Sequence, residues 1–400
     1  MTFNFDYILP LASYILLGVA FVAMLWVILF YVLRIRRVTH AVAEANSDCT
    51  DTDDETDTGS LPVPSTPASI IIFTQDQSSW LEELLPDILA QDYPAGFEVI
   101  VVNEGASDAT RDFVENLAVA HPNLYLTYTP DGARNLSRKK LALTIGIKAA
   151  KNPVVVNITA GVRVPSPYWL RYIMRNFDSP QTEVVLGYAY PSDGDDSFGK
   201  RRRAFDYVAD AVTWLSPAIA HHPYRGIEYN LAYTRDIFFR NKGFSRSLNL
   251  VNGDDDIFIR QIVTPENTAV ELAYPSMLVA NYRDHRAAHE DYMRRHHFTA
   301  QRLPRLSAGL MSAGAWAIWI VLGCSVAACL AAPYYVIPMA AAAVLIITTL
   351  LCVTIAWRKV MVSLCSRHMF WTIPRLAMMR PLRRLTLGVR ARKAHNFTWK

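Results

Sequence analysis

The sequence predicts an α/β domain, with a mostly parallel sheet and helices on both faces, attached to three transmembrane helices. Three observations carry that expectation. No charged residue interrupts residues 7–33, and no Asp, Glu, Lys, Arg or His interrupts 306–357. Between these runs, short β-branched stretches alternate with amphipathic stretches of helical length. Basic residues gather immediately after the apolar runs, at Arg34, Arg36 and Arg37 and again at Arg358 and Lys359.

One bilayer crossing needs about 20 apolar residues. Residues 7–33 therefore suit one span and 306–357 suit two, with Pro333, Tyr334 and Tyr335 at the turn. The first run is expected to be a retained anchor (1–37), because Asp6 precedes it without any Lys or Arg and it is too long for a signal's apolar region. A linker (38–67) follows; its stretch 48–57 holds six acids and no base, ahead of Pro62, Pro64 and Pro67. Such a segment cannot bury apolar surface and suits a solvated tether. The tail (358–400) holds eleven Lys or Arg and no acid, interleaved with Met369, Phe370, Trp371, Leu376 and Met378 and divided by Pro374 and Pro381. Next to the spans (306–357), this pattern fits helices lying on an anionic membrane surface better than nucleic-acid binding. The five cysteines show no metal-ligand spacing.

Within the domain (68–305), strands are expected at 69–73, 97–102, 124–129 and 153–158, and helices at 80–90, from 107, and at 138–150. Ligands in such sheets bind beyond the carboxyl ends of the strands, so the loops after Phe73, Val102 and Ile158 are where chemistry belongs. Neither G-x-G-x-x-G nor G-x-x-x-x-G-K-[ST] occurs.

Several stretches resemble the family 2 glycosyltransferases of the GT-A fold. The opening strand at 68–73, the run Leu89-Ala-Gln-Asp-Tyr-Pro94 and the run Glu98-Val-Ile-Val-Val-Asn-Glu-Gly-Ala-Ser-Asp-Ala-Thr110 are similar to that family's first nucleotide-binding segment. Asn103 and Glu104 stand where the family has two aspartates, and either can accept a hydrogen bond from uracil or ribose. The same turn also suits a helix cap at Ser107 and Asp108. The helix opening Arg138-Lys139-Lys140 resembles the family's G-K-x-x-A-L helix, which implies that Lys139 and Lys140 face a diphosphate. The family's metal-binding D-x-D falls on Thr159-Ala160-Gly161, so the usual ligands for Mg²⁺ or Mn²⁺ are missing. Three possibilities stay open: the ion is held by other groups, cations such as Lys139 and Arg163 replace it, or turnover has been lost.

The later motifs concern the transferred sugar and its acceptor. Arg225-Gly-Ile-Glu-Tyr-Asn230-Leu-Ala-Tyr233, with Lys242-Gly243-Phe244, resembles the segment that closes over the sugar, and implies a role for Asn230. Gly253-Asp254-Asp255-Asp256-Ile257 resembles G-E-D-x-D-L and implies a catalytic base at Asp254, with Asp255 and Asp256 beside it. Adjacent carboxylates repel, which raises at least one pKa and favours proton abstraction. The family's Q-x-x-R-W is matched only in part: its Gln falls on Met293 and its Arg on His296, leaving Arg294, Arg295 and His297 as basic groups near the acceptor. The resemblance implies an inverting transfer from a uridine or guanosine diphosphate sugar to a lipid or lipid-linked acceptor at the inner membrane. The rival expectation is a non-catalytic binding subunit of a glycan assembly. A transporter fits poorly, since the spans hold no charge.

The distribution of basic residues fixes a testable topology. Cysteine labelling or reporter fusions are expected to place Glu104 and Lys400 in the cytoplasm and Pro333 outside. Lys400 on the outer face would overturn this orientation.

Overall fold

In the computed structural model, the residues described are 5–47, 61–75, 78–104, 108–130, 137–191, 197–280 and 285–393. The acidic stretch 48–57 and the cap residue Ser107 lie outside them, as does Lys400. The chain divides into two compact units, one built from Met1–His40, Asp195–Ser216 and Pro304–Val389, and the other from Ala41–Gly194, Pro217–Leu303 and Arg390–Lys400.

The chain opens with α1 (Phe5–Trp26), a π-helical stretch (Val27–Val32) and α2 (Leu33–Ala45), so helix continues eight residues past the expected end of the anchor at 37. The physical reason is that Val38 and Val42 continue an apolar stripe and are buried. The α/β unit then follows the expected alternation: β1 (Ala68–Thr74), α3 (Ser78–Leu89), β2 (Phe97–Asn103), α4 (Asp108–Ala120), β3 (Leu124–Tyr128), α5 (Arg138–Ala149) and β4 (Val154–Thr159). After these come β5 (Val162–Arg163), α6 (Trp169–Met174), β6 (Val184–Leu186), β7 (Ala189–Pro191), α7 (Phe198–Ile219), β8 (Leu231–Thr234), α8 (Arg235–Arg240), α9 (Ile257–Ile262), β9 (Thr268–Val270), β10 (Leu278–Ala280) and α10 (His285–Thr299).

The main sheet runs β3-β2-β1-β4-β8-β6-β9. β1 pairs in parallel with β2 and β4, and β2 with β3, whereas β8 runs antiparallel to both β4 and β6. The strands at the centre, β1 and β4, are buried along nearly their whole length, the pattern of a sheet covered on both faces. A smaller sheet, β5-β10-β7, stands apart. Because β1, β2 and β4 are parallel, Thr74, Asn103 and Thr159 all end at one edge.

Among the described residues, three helices are long and apolar enough to cross a membrane, Leu11–Ala45, α11 (Arg305–Ala331) and α12 (Val336–Ser363), with 332–335 as the turn. Leu17, Ala20, Ala23 and Met24 pack on Val321, Ala328, Ala342 and Leu345. Hydrocarbon provides little drive for helices to associate, so close packing and polar contacts must do so. Ser13 Oγ donates to Ala328 O at 2.9 Å, and Trp357 Nε1 donates to the Tyr31 hydroxyl at 3.2 Å. α13 (Ile373–Lys393) forms one helix through Pro381.

The unexpected member of this unit is the stretch 195–216, which the sequence places inside a continuous soluble domain. Most of α7 lies here. Its Phe205, Val208, Val212 and Leu215 are buried, and Phe205 packs on Trp357 with ring centroids 4.9 Å apart. Its acids bind the tail: Arg383 reaches Asp206 at 2.5 Å and Arg384 reaches Asp210 at 3.7 Å.

Gly314 of α11 lies against Tyr31, and a Cβ there would stand 2.6 Å from the tyrosine ring. Gly314→Ala must displace a ring that is itself held by Trp357. A loss of about 1–3 kcal/mol is expected, the usual cost of overpacking. Thermal unfolding in detergent would measure it, and an unchanged midpoint would show that this contact is slack.

Candidate active site

A cleft lies at the carboxyl edge of the parallel strands. Phe73, Asn157, Ile158 and Thr159 form its floor, Lys139 and Leu143 of α5 one wall, and Glu228, Leu231, Tyr233, Asp254 and Asp255 the other. Local sequence aims these groups. Ser137 caps α5 through its hydroxyl, fixing the turn that carries Lys139. Gly253 adopts φ +102°, where a Cβ would meet Ile257 at 2.7 Å, so glycine is required to turn the chain into the three aspartates.

The centre of the site is an ion network. Lys139 Nζ binds Glu228 Oε2 and also Asp254 Oδ2 at 2.6 Å. Arg295 donates to both oxygens of Glu228, at 3.1 and 3.3 Å, and binds Asp291 at 2.9 Å. Burial alone would lower the Lys139 pKa, but the carboxylates of Asp254 and Glu228 override it and hold the ammonium well above its ordinary value. Burial likewise opposes the charge on Glu228, yet Arg295 and Lys139 hold its carboxyl below the usual range.

The three aspartates differ in their partners. Asp254 is bound to Lys139. Asp256 caps α9, its Oδ1 accepting from Ile257 N at 2.7 Å, while its Oδ2 accepts from the Thr299 hydroxyl and lies 3.4 Å from His296 Nδ1. Burial works against its charge, but these contacts with His296 lower its pKa. Asp255 is only 6% exposed and lines the cleft, and its carboxyl has no hydrogen-bond or ion-pair partner among the described residues. Burial pushes its pKa well up, and the charges of Asp256 and Asp254 push it further.

The structure brings Lys139, Thr159, Asp254, Asp255 and Arg295 to this network or its cleft, and corrects several other expectations. The ammonium of Lys139 is not free in the cleft, since two carboxylates hold it. Lys140 is fully buried, and its ammonium donates to the carbonyls of Ser247, Leu250 and Asn252, tethering the loop that leads to Gly253. Burial lowers its pKa to about 8. Asn230 does not reach the cleft; its side chain accepts from Trp169 Nε1 and donates to Tyr188 O and Ser276 O in the core.

The remaining residues are dispersed. Arg163 is exposed and pairs with Asp87 at 3.1 Å. Glu104 accepts from Arg138 at 2.7 Å, and Asn103 is buried at the end of β2. Arg294 is exposed and carries no ion pair among the described residues, while His297 is half-buried on the same helix. The residue that sequence reasoning missed is Glu228. Its one signal is an acid set in the apolar run from Ile227 to Tyr233.

At the D-x-D position, Thr159 has a hydroxyl and Gly161 faces open space, so the strand end supplies no carboxylate to a divalent ion. Asp255, Asp256 and His296 form a grouping of potential ligands, with donor atoms within 4.8 Å of one another. Asp256 and His296 are already bonded to each other there, and Asp256 to two further donors. The residues present therefore do not reproduce the family's ion site.

Residues 69–249 match the model of Glycosyl transferase family 2. No curated protein matches the sequence. Among solved structures, the mannosyltransferase PcManGT from Pyrobaculum calidifontis, in complex with GDP-Man and Mn²⁺, is 20% identical, with a TM-score of 0.49 over 90% of this chain and 99% of its own. TarS 1–349 from S. aureus is 16% identical, with a TM-score of 0.42 over 82% of this chain and 92% of its own.

The isolation of Asp255 has a consequence for stability. A carboxyl whose folded pKa is raised stabilises the fold when protonated, and that contribution is lost as pH rises through the folded pKa. Asp255→Asn imitates the protonated form. The substitution is expected to raise the melting temperature, with a larger gain at pH 8 than at pH 5. A gain that is equal at both pH values would mean that Asp255 ionises normally.

Proposed function

Because residues 69–249 match the model of Glycosyl transferase family 2, we propose that the protein transfers a sugar from a nucleoside diphosphate sugar to a hydroxyl of a lipid or lipid-linked acceptor, with Asp255 as the base. The observation that carries this reading is the uncommitted carboxyl of Asp255 in a cleft whose other carboxylates are tied down. A general base must come within hydrogen-bond reach of the proton it takes, and works best with a pKa near the operating pH. The resemblance assigns the role to Asp254. The Lys139 bond argues for the neighbouring residue, since Asp254 Oδ2 is already engaged by an ammonium.

The reaction is a single displacement. The acceptor hydroxyl gives its proton to Asp255 as its oxygen attacks the anomeric carbon. The bond from that carbon to the phosphate oxygen breaks, and the nucleoside diphosphate leaves with the electron pair. Attack opposite the leaving group inverts the configuration. Lys139 and Arg295 hold Glu228 ionised, and Lys139 also holds Asp254 in place. An acceptor in the membrane is supported by the order of the chain, in which apolar helices precede and follow the domain. The basic residues beyond the spans support a domain on the cytoplasmic face of the membrane.

The second reading, a nucleotide-sugar-binding subunit without turnover, is favoured by the absent carboxylates at Thr159 and Gly161. A metal ion usually contributes several kcal/mol by neutralising the leaving group, and the cleft must manage without those ligands.

Asp255→Asn is expected to lower kcat by about 10²–10⁴-fold while calorimetry shows unchanged donor affinity. The acid limb of the kcat/KM profile should lie above the ordinary carboxylate range, with rate rising with pH. Full turnover in Asp255→Asn would reject its role, and donor binding without hydrolysis or transfer in the native protein would favour the binding subunit.

A further inference from the structure

The helical unit contains a second lined cavity, away from any residue discussed above as catalytic. Thr39 of α2, and Ile355, Arg358, Lys359, Val362 and Ser363 of α12, line a cavity of about 310 Å³. That volume is at the lower end of small-ligand sites. The apolar run of α12 ends at Trp357, so Arg358 and Lys359 stand where the helix leaves hydrocarbon for the headgroup region.

Three features of the lining point to one ligand chemistry. Both cations are exposed, and no carboxylate among the described residues pairs with either. Arg358 lies 5.6 Å from the centroid of the Phe370 ring, a contact that engages the guanidinium without using its N–H donors. The third feature is Thr39. Its hydroxyl is buried without a hydrogen-bond partner. A helical threonine ordinarily returns its hydroxyl to the carbonyl four residues back. Thr144, Thr213, Thr349 and Thr354 of this chain all do so, at 2.6–2.9 Å. A buried donor left unsatisfied is costly, so an acceptor from outside the chain is the natural partner.

Basic residues at a helix end also complement its last carbonyls and anchor it at the interface. Neither role accounts for a cavity or for an orphan hydroxyl beside it. The lining combines two cations and two hydroxyls with the apolar side chains Ile355 and Val362. An inorganic ion would gain nothing from the apolar part, whereas a glycerophosphate with its chains in the bilayer would use both.

We propose that this cavity binds the phosphate of an anionic membrane phospholipid, with Arg358 and Lys359 pairing its oxygens and Thr39 donating a hydrogen bond. The site is independent of the transferase chemistry and would hold in a catalytically inactive protein.

The test uses the full chain in nanodiscs of phosphatidylglycerol or phosphatidylcholine, with native mass spectrometry of retained lipid and thermal unfolding. Retention of phosphatidylglycerol over phosphatidylcholine is expected to be about tenfold, equivalent to about 1.4 kcal/mol, with a higher unfolding midpoint in phosphatidylglycerol. Combined Arg358→Gln and Lys359→Gln should abolish the preference. Thr39→Val, which keeps the shape and removes the hydroxyl, should reduce it several-fold and remains informative if the double variant does not fold. Equal retention of the two lipids, or an unchanged preference in Thr39→Val, would overturn the proposal. Displacement of the lipid by millimolar inorganic phosphate would also overturn it, assigning the cavity to a free ion.

Discussion

The ammonium of Lys139, set between Glu228 and Asp254, is the interaction on which the candidate site depends. It joins three segments distant in sequence: the first turn of α5, the approach to β8 and the turn at Gly253. Removing ions from water costs several kcal/mol each, and breaking a buried pair from one side costs about 3–5 kcal/mol. The group is therefore stable only as a set. Arg295 completes it from α10, and Lys140 holds the same loop from beneath through three carbonyls. Adjacent lysines thus do different work, one as a counter-ion and the other as a tether.

This arrangement separates the three consecutive aspartates by environment. Asp254 has a cation, Asp256 has a helix N-terminus, a hydroxyl and an imidazole, and Asp255 has none of these. In the family's usual plan a metal ion at the strand end offsets the donor's charge. Here the strand end is Thr159-Ala160-Gly161, and the positive charge of the cleft is held by side chains already engaged with carboxylates. The balance between an active transferase and a binding subunit turns on whether the remaining cations can serve the leaving group.

The helical unit follows a different logic, because hydrophobic burial contributes little between helices in a bilayer. Its contacts are small residues allowing close approach, as at Gly314 beneath Tyr31, and polar links such as Ser13 to Ala328. Arg380 of α13 is buried, donating to Ala209 O at 2.5 Å, and burial lowers its pKa to about 10. Together with the Arg383–Asp206 pair, this docks the tail helix on α7, so the tail's basic residues serve internal packing as well as any surface role.

The sequence by itself determined the α/β alternation as far as β4 and the apolar helices on either side of the domain. Two kinds of periodicity and two long uncharged runs place every strand from β1 to β4 within a residue or two, and place all three membrane-capable helices. These are local properties, written in neighbouring residues. The motifs also pointed to loops that the fold brings to the cleft, including the Gly253 turn. Tertiary structure alone decided what each polar group does, because a charge takes its role from partners far along the chain. Lys139 and Lys140 look alike in sequence, and only folding sets one against Glu228 and the other against the carbonyls of 247–252. Asn230 lies in a motif but is consumed in the core, and Glu228 two residues earlier forms the network. The allegiance of α7 was hidden for the same reason: its amphipathic pattern fits any apolar surface, and Phe205 and Asp206 acquire their meaning from Trp357 and Arg383.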